Sequence, residues 1–455
     1  MTTSNQYSIT HRMAEFSSSV TWLGLPDSVR REAVRAWTNW VACAVGGSST
    51  SAMDAAVRGA LSMLPNGEVP VLGRRERATL PDAALLGCLS STAQTYDDTH
   101  FATTTHPTGP VASALLATAH TLGVAGRPVS GVRLLTALVI GMELECRTSC
   151  AIVANGGHPG WFITGLSGGV GTAEAVGSLL QLTHEQLVHA IGLAATQACG
   201  FRATHGSMAM TYVPGLAARN GLVAAYMAAA DFTCGAISID GRNGLLQVLT
   251  RAADTTAIGD ELGSRFELLS NSYKPYPCGF VIHPAIDACL HLVQENKISH
   301  SAIERIDMRV HPDALNLCWR KLPENVFEAQ VSLFHWVAAA FVHHAAGVEQ
   351  GELDCVLDAD VRALQERSYA VADSQLADNQ ALVAVRLRDG RIVERLTENS
   401  TGSISNPMTD QQLAFKFRNL VSSILGEPRA NELLAMCVDS PSADDAALIL
   451  RLGAR

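Results

Sequence analysis

A lysine and a histidine stand nine residues apart in the run Ser272-Tyr273-Lys274-Pro275-Tyr276-Pro277-Cys278-Gly279, which His283-Pro284 follows. The prolines stiffen this turn, so a cation and an imidazole can meet in one place. Lys274 would supply positive charge where a substrate carboxylate sits or an enolate develops, usually the largest contribution to such reactions. His283 would serve as a second base or acid. Cys278 lies close enough to Lys274 to invite a nucleophile reading, but no Cys-His-Asn arrangement accompanies it.

Three further clusters carry polar chemistry. Thr95-Tyr96-Asp97-Asp98-Thr99-His100 leads through a threonine-rich loop to Thr105-His106-Pro107-Thr108-Gly109. Carboxylate, hydroxyl and imidazole in one loop can orient a substrate and move a proton. Asp97 and Asp98 equally read as helix caps or solvated groups. His106 is the candidate base, because Pro107 biases its backbone to an extended form and limits where the ring points. In Asn155-Gly156-Gly157-His158-Pro159-Gly160 the glycines permit close approach to a ligand or simply a turn, and His158 could act as acid or base. Arg202 and His205 precede Pro214-Gly215 and a helix carrying Arg219. A guanidinium can clamp a carboxylate with two parallel bonds, or form a structural ion pair. Apart from His343-His344 the histidines are dispersed, without HxH or HExxH spacing, so neither a metal nor another cofactor is expected.

These groups must be held by helices for the most part. Apolar residues recur every three or four positions in Pro26–Ala44, Ala52–Leu64, Asp82–Tyr96, Pro110–Gly123, Gly131–Val153, Gly165–Leu182, His184–Ala198 and Ala217–Ala230. Thr183 with Gln186 has the form of a capping box. Near Leu268 the pattern changes: Ile303–Val310 and Ala381–Leu387 alternate at strand period, and Asp389-Gly390 suits a tight hairpin to Ile392–Leu396. Helices at Pro284–Glu295 and Ala329–His344 interleave with these strands, and helical periodicity returns in Asp410–Leu425 and Ala430–Cys437. The expected fold is mainly α, a large discontinuous helical bundle with a smaller inserted α+β domain. The returning helices most simply complete the first bundle, so residues 1–267 and 405–455 would form it and 268–404 the insertion, an assignment that periodicity alone does not decide and that the family resemblance given below supports.

Composition narrows the function classes. The chain has 455 residues, 47% hydrophobic and 17% charged, enough to bury a large core and more than one core usually supports. A net charge of −10 without a dense Lys/Arg cluster argues against nucleic acid. Apolar runs such as Leu134–Met142 fall short of the about 20 residues that cross a bilayer, so no membrane partner is expected. Eleven cysteines without CxxC pairs, and a polar start from Met1 to Gln6 lacking a signal-like core, point to reduced thiols and the cytoplasm.

The ordered series of motifs resembles the MmgE/PrpD family: Ala42-Cys43-Ala44-Val45-Gly46-Gly47, Tyr96-Asp97-Asp98-Thr99, His106-Pro107, the Lys274 run with His283-Pro284, and Asn406-Pro407-Met408. The resemblance implies a metal-free active site between a helical domain and an α+β lid, usually in a homodimer. Carried over by position, it places Thr99, His106, Lys274 and His283 in the active site. Four positions depart from the family pattern: Thr95 replaces an acid, Phe162 a histidine, Met210 a lysine and His335 a tyrosine. The expected substrate-binding set is Asp98, His158, Arg202, His205, Met210, Cys278 and His335. The expected substrate is a small anionic di- or tricarboxylic acid. The expected reaction is a lyase reaction of the 2-methylcitrate dehydratase or cis-aconitate decarboxylase type, with two-base epimerisation and non-catalytic carboxylate binding as alternatives.

Overall fold

A computed structural model describes residues 8–455; the polar start Met1 to Gln6 lies outside the described residues. Nine helices build the first layer set: α1 (Ile9–Ser19), α2 (Asp27–Gly46), α3 (Ser51–Met63), α4 (Leu80–Thr92), α5 (Thr108–Val124), α6 (Gly131–Ala154), α7 (Ile163–Leu180), α8 (His184–Ala195) and α9 (Ala209–Ala229). Hydroxyl caps open several of them, with Thr50, Thr79 and Ser130 each accepting from an amide three residues on. The Thr183–Gln186 capping box of α8 forms as expected. Periodicity alone left α1 unassigned, yet Ile9, Met13 and Phe16 turn one face of it into the core.

Close contact between α6 and α7 depends on small residues. A side chain added at Gly171 would stand 2.3 Å from the carbonyl oxygen of Gly141, so the two backbones touch there. Helix α9 begins eight residues before the expected start and carries Pro214 inside it. Proline has no N–H, so the carbonyl of Met210 loses its helical donor; both residues line the cavity described below.

Glu174 on α7 is wholly buried and neither carboxyl oxygen has a hydrogen-bond partner. Burial pushes it up to about 8, with Ser17 of α1 opposing the shift. Its folded value lies above its unfolded one, so the stability it contributes is present below about 4.5 and lost as pH rises through about 8. Glu174→Gln is therefore expected to stabilise the fold by on the order of 3 kcal/mol at pH 9 and to change little at pH 4.5, as thermal melts at both values would show.

Three small sheets accompany the helices. Strands β1 (Val69–Pro70) and β2 (Arg77–Ala78) pair antiparallel, as do β3 (Thr99–His100) and β4 (Asn271–Ser272). The third sheet has four strands, β5 (Ile303–Val310), β6 (Ser368–Ala372), β7 (Ala381–Leu387) and β8 (Ile392–Thr397), in the order β6-β5-β7-β8. Its β7–β8 hairpin turns through Gly390 at φ 90°, and Asp389 accepts from the Arg391 amide. The edge strand β6, parallel to β5, was not legible from alternation because only Ser368 of its five residues is buried.

Helices His283–Asn296 and Leu333–His343 share a second apolar core with this sheet. The expected helix Ala329–His344 divides in two: Val326–Ala329 is capped by Asn325, and a new start is capped by Ser332. Helices Asp410–Leu425 and Glu427–Val438 send Phe417, Leu420, Val421 and Leu433 into the first core, beside α2. No helix among the described residues is long and apolar enough to cross a membrane. All eleven cysteines are free thiols.

Candidate active site

The short β3–β4 pairing joins segments 173 residues apart in sequence, setting Thr99 opposite Ser272 and His100 opposite Asn271. Asp98 locks the junction: fully buried, it accepts from the Thr108 hydroxyl and the Asn271 side-chain amide. Burial pushes its carboxyl up to about 6, against those two hydrogen bonds. Helix α4 stops at Thr92, short of the expected Tyr96, and Thr95 adopts φ 50°. A left-handed β-branched residue is strained, of order 1–2 kcal/mol. In that conformation its carbonyl accepts from Lys274 Nζ at 3.1 Å, and its hydroxyl donates to Gln330 Oε1 at 2.8 Å.

Lys274 is almost wholly buried, with Nζ 3.4 Å from Asp97 Oδ1. Behind it Lys416, also buried, donates to the backbone carbonyls of Tyr96 and Lys274 at 2.7 and 3.0 Å, and lies 3.9 Å from the centre of the Tyr96 ring. Tyr96 in turn donates to the Pro275 carbonyl at 2.8 Å. Burial brings Lys416 down to about 8. These contacts hold the two loops in one arrangement. Lys416 was missed in the sequence, although it sits on the buried stripe of its helix between Leu413 and Leu420, an unusual place for a charge.

His106 is held on both sides. Its amide donates to Thr164 Oγ1 at the start of α7. Nδ1 lies 2.9 Å from the Asp98 carbonyl, 3.3 Å from Thr99 Oγ1 and 3.4 Å from Asp97 Oδ2. A carbonyl only accepts, so Nδ1 carries the hydrogen and Nε2 keeps its lone pair. Burial lowers the pKa of His106, Asp97 opposes this, and Lys274 adds to the lowering. The resting imidazole is neutral near pH 7.

Arg202 reaches the same space: Nη2 donates to Thr104 Oγ1 at 3.0 Å, while Nε is buried without a partner. His205 packs edge-on against Phe162, which also meets His106 edge-on, at ring separations of 5.1 and 6.1 Å. Burial, reinforced by Arg202, takes His205 down to about 4. Around these groups closes a cavity of about 110 Å³. Lys274, Asp97, Thr99, His106, Arg202 and His205 all line it, together with Thr95, Phe162 and Met210, three of the four departures from the family pattern. Buried hydrogen-bond donors beside a neutral imidazole can bind a carboxylate and exchange a proton with the carbon next to it.

Other expected residues lie elsewhere. His283 is fully buried behind Phe280, their rings 4.7 Å apart, and neither ring nitrogen makes a hydrogen bond of ordinary geometry. Burial, then the Lys274 charge, lowers its pKa far below the usual range. Cys278 is likewise sealed in the core, its thiol pushed up by burial, and Cys318 lines the cavity instead. His158 is exposed on a turn, where Nδ1 accepts from the Gly160 amide. His335 donates from Nε2 to the Gln350 carbonyl and accepts at Nδ1 from Gln365, both polar atoms used within the second core region. Arg219 faces Asp82 at 3.7 Å. The reason is shared: these side chains leave their helices and turns on faces that meet other partners, which motif spacing does not encode.

Sequence reasoning also passed over the wall formed by Phe280, Val281, Leu317 and Val331. Short apolar residues like these read as ordinary core. Among the described residues, two groups have metal-ligand spacing, His11 with His184 and Glu185, and His100 with Cys150 and Glu267; none of these lines the cavity.

Two family models match the chain. The MmgE/PrpD N-terminal domain matches residues 11–257, and the MmgE/PrpD C-terminal domain matches residues 276–440. The chain belongs to the MmgE/PrpD family. Lys274 falls between the two matched segments, while His106 and Arg202 fall in the first. Relatives of this MmgE/PrpD chain include a protein named cis-aconitate decarboxylase from Aspergillus terreus, 24% identical over 470 aligned residues that cover 98% of this chain and 95% of the relative. A cis-aconitate decarboxylase-like protein, oryM, from Aspergillus oryzae is 26% identical, covering 94% and 93%. A cis-aconitate decarboxylase from Mus musculus is 23% identical, covering 81% and 78%.

Proposed function

We propose that this MmgE/PrpD chain is a lyase that removes CO2, or a proton, next to a carboxylate of a small di- or tricarboxylic acid, using its own side chains as the only catalytic groups. The observation that carries the reading is the convergence of Lys274, Arg202 and His106 on one cavity. Full-length similarity to proteins named cis-aconitate decarboxylase supports the decarboxylating form.

In that form Arg202 binds one carboxylate through Nε and its terminal nitrogens, and Lys274 faces a second. The carbon–carbon bond to the departing carboxylate breaks, CO2 leaves, and the electron pair shifts through the adjacent double bond onto the carbon beside the carboxylate held by Lys274. The cation stabilises this enolate-like charge. His106, protonated on substrate binding, returns a proton from Nε2 to that carbon, while the Asp98 carbonyl and Asp97 steady the ring.

A second reading, epimerisation, draws on His205, which shares the cavity with His106 across Phe162. Incubating metal-stripped protein in D2O with cis-aconitate, 2-methylcitrate and iminodisuccinate, followed by proton NMR, separates the two. Release of CO2 with one deuterium placed next to a carboxylate is the expected result. Exchange with an unchanged skeleton would replace the lyase by an epimerase, and silence with all three acids, despite measurable binding, would leave a carboxylate-binding protein.

A further inference from the structure

His100, next to Thr99 on β3, is fully buried and lies outside the cavity lining. Its Nδ1 is 2.9 Å from Thr103 Oγ1. The hydrogen in that contact can be placed. The Ser149 hydroxyl meets the Glu145 carbonyl, which only accepts; the Thr105 hydroxyl donates to Ser149, and the Thr103 hydroxyl donates to Thr105. Thr103 Oγ1 is left as an acceptor, so His100 Nδ1 carries a hydrogen and donates it. On the other side of the ring Nε2, buried without a hydrogen bond of ordinary geometry, faces Glu267 Oε2 at 3.4 Å. Two acceptors hold that separation when a proton or a metal ion lies between them. A third donor favours the metal: Cys150 on α6 joins the pair, with one ligand atom from each of the three residues within 4.8 Å of the other two.

We propose that His100 Nε2, Cys150 Sγ and Glu267 Oε2 bind one zinc ion, with water as the fourth ligand. Nitrogen, thiolate and carboxylate oxygen are the donors zinc takes, and in a tetrahedral site its nitrogen and oxygen ligands stand roughly 3.4 Å apart, the separation found between His100 and Glu267. Outer partners are in place for two of the three ligands. Thr103 fixes the His100 tautomer, and Arg265 donates to Glu267 Oε1, which leaves Oε2 for the ion. As the metal binds, the Cys150 thiol releases its proton to solvent and the sulfur–zinc bond forms. The ion acts as a clamp: it ties β3 to α6 and to the segment just ahead of β4, the parts of the chain that set Thr99 and Lys274 side by side. It stands outside the cavity, so the carboxylate-lyase reading holds or fails independently of it.

Titrating the chelator-treated, full-length protein with Co2+ as a coloured stand-in for zinc tests this. The expected result is a sulfur-to-cobalt charge-transfer band in the near ultraviolet with the visible bands of a tetrahedral ion, both removed when zinc displaces the cobalt. Cys150→Ser is expected to abolish the charge-transfer band. Glu267→Gln, checked for folding by circular dichroism, is expected to weaken binding by more than about 100-fold, beyond the cost of losing an outer partner alone. Zinc should raise the melting temperature of the wild type and leave that of Cys150→Ser unchanged. Cobalt bound without the charge-transfer band would overturn the assignment and move the ion to a site without sulfur, such as His11 with His184 and Glu185. A band that persists in Cys150→Ser would overturn it in favour of another thiol. No binding at all would overturn it and leave His100 and Glu267 as a plain ion pair. If Cys150→Ser does not fold, undiminished affinity in Glu267→Gln overturns the site equally well.

Discussion

Lys274→Met is expected to lower kcat/KM about 10³-fold on whichever acid is turned over. Removal of one preorganised donor to a developing negative charge costs about 10²–10³ in kcat in other enzymes, and on the proposed reading the same group also holds a substrate carboxylate. The variant has a second consequence, because it strands the Asp97 carboxylate, 5% exposed, without its partner. Breaking a buried pair on one side costs about 3–5 kcal/mol. The double variant Lys274→Met/Asp97→Asn removes the stranded charge, so thermal melts should show stability returning while activity stays lost. Recovery of activity along with stability would mean that Lys274 only supports the loops.

His106→Gln is expected to reduce kcat by about 10²–10⁴-fold, the range usual for loss of a positioned proton donor or acceptor. Its pH profile carries more information than the rate. Burial holds the His106 pKa below 6.5, so the free protein has a neutral ring at pH 7. If the ring must be protonated to return a proton after CO2 loss, kcat/KM falls as pH rises through that lowered value. That limb is expected in the wild type and should vanish in His106→Gln. A limb of opposite sign, with activity falling as pH drops, would make His106 a base that removes a proton and would move the chemistry toward dehydration or epimerisation.

Of the residues singled out in the sequence, those joined by short chemistry-bearing loops came together. Lys274 and His106 share the cavity because both stand a few residues from the β3–β4 pairing, at Ser272 and Thr99. Arg202 and His205 arrive from the segment that opens α9. His283 shows the opposite outcome. It lies nine residues from Lys274, but Phe280 occupies the cavity wall between, and the imidazole points into the core. His335 stands at the first turn of a buried helix, where both ring nitrogens find partners in the second core region. Helical positions only one residue apart differ by about 100° in direction, so a motif can be in place and its side chain elsewhere.

Local physics was legible before any tertiary contact was known. Apolar spacing set out the helices from α2 onward, the Thr183–Gln186 capping box marked the start of α8, and Asp389-Gly390 closed the hairpin, because each depends on neighbours within about one turn. The motif series also identified the family. Other features depended on residues far apart in sequence. α1 is stabilised by the face it buries, and α9 carries Pro214 inside it, where both Pro214 and Met210 line the cavity. Thr95 holds its strained conformation where Lys274 and Gln330 take its carbonyl and hydroxyl. Lys416, 142 residues beyond Lys274, fastens the loops from behind. Which histidine faces the cavity, and how much apolar wall it faces, follow from long-range packing, where burial energy outweighs local preference. Sequence periodicity carries the local terms of that balance and leaves the long-range ones to the tertiary structure.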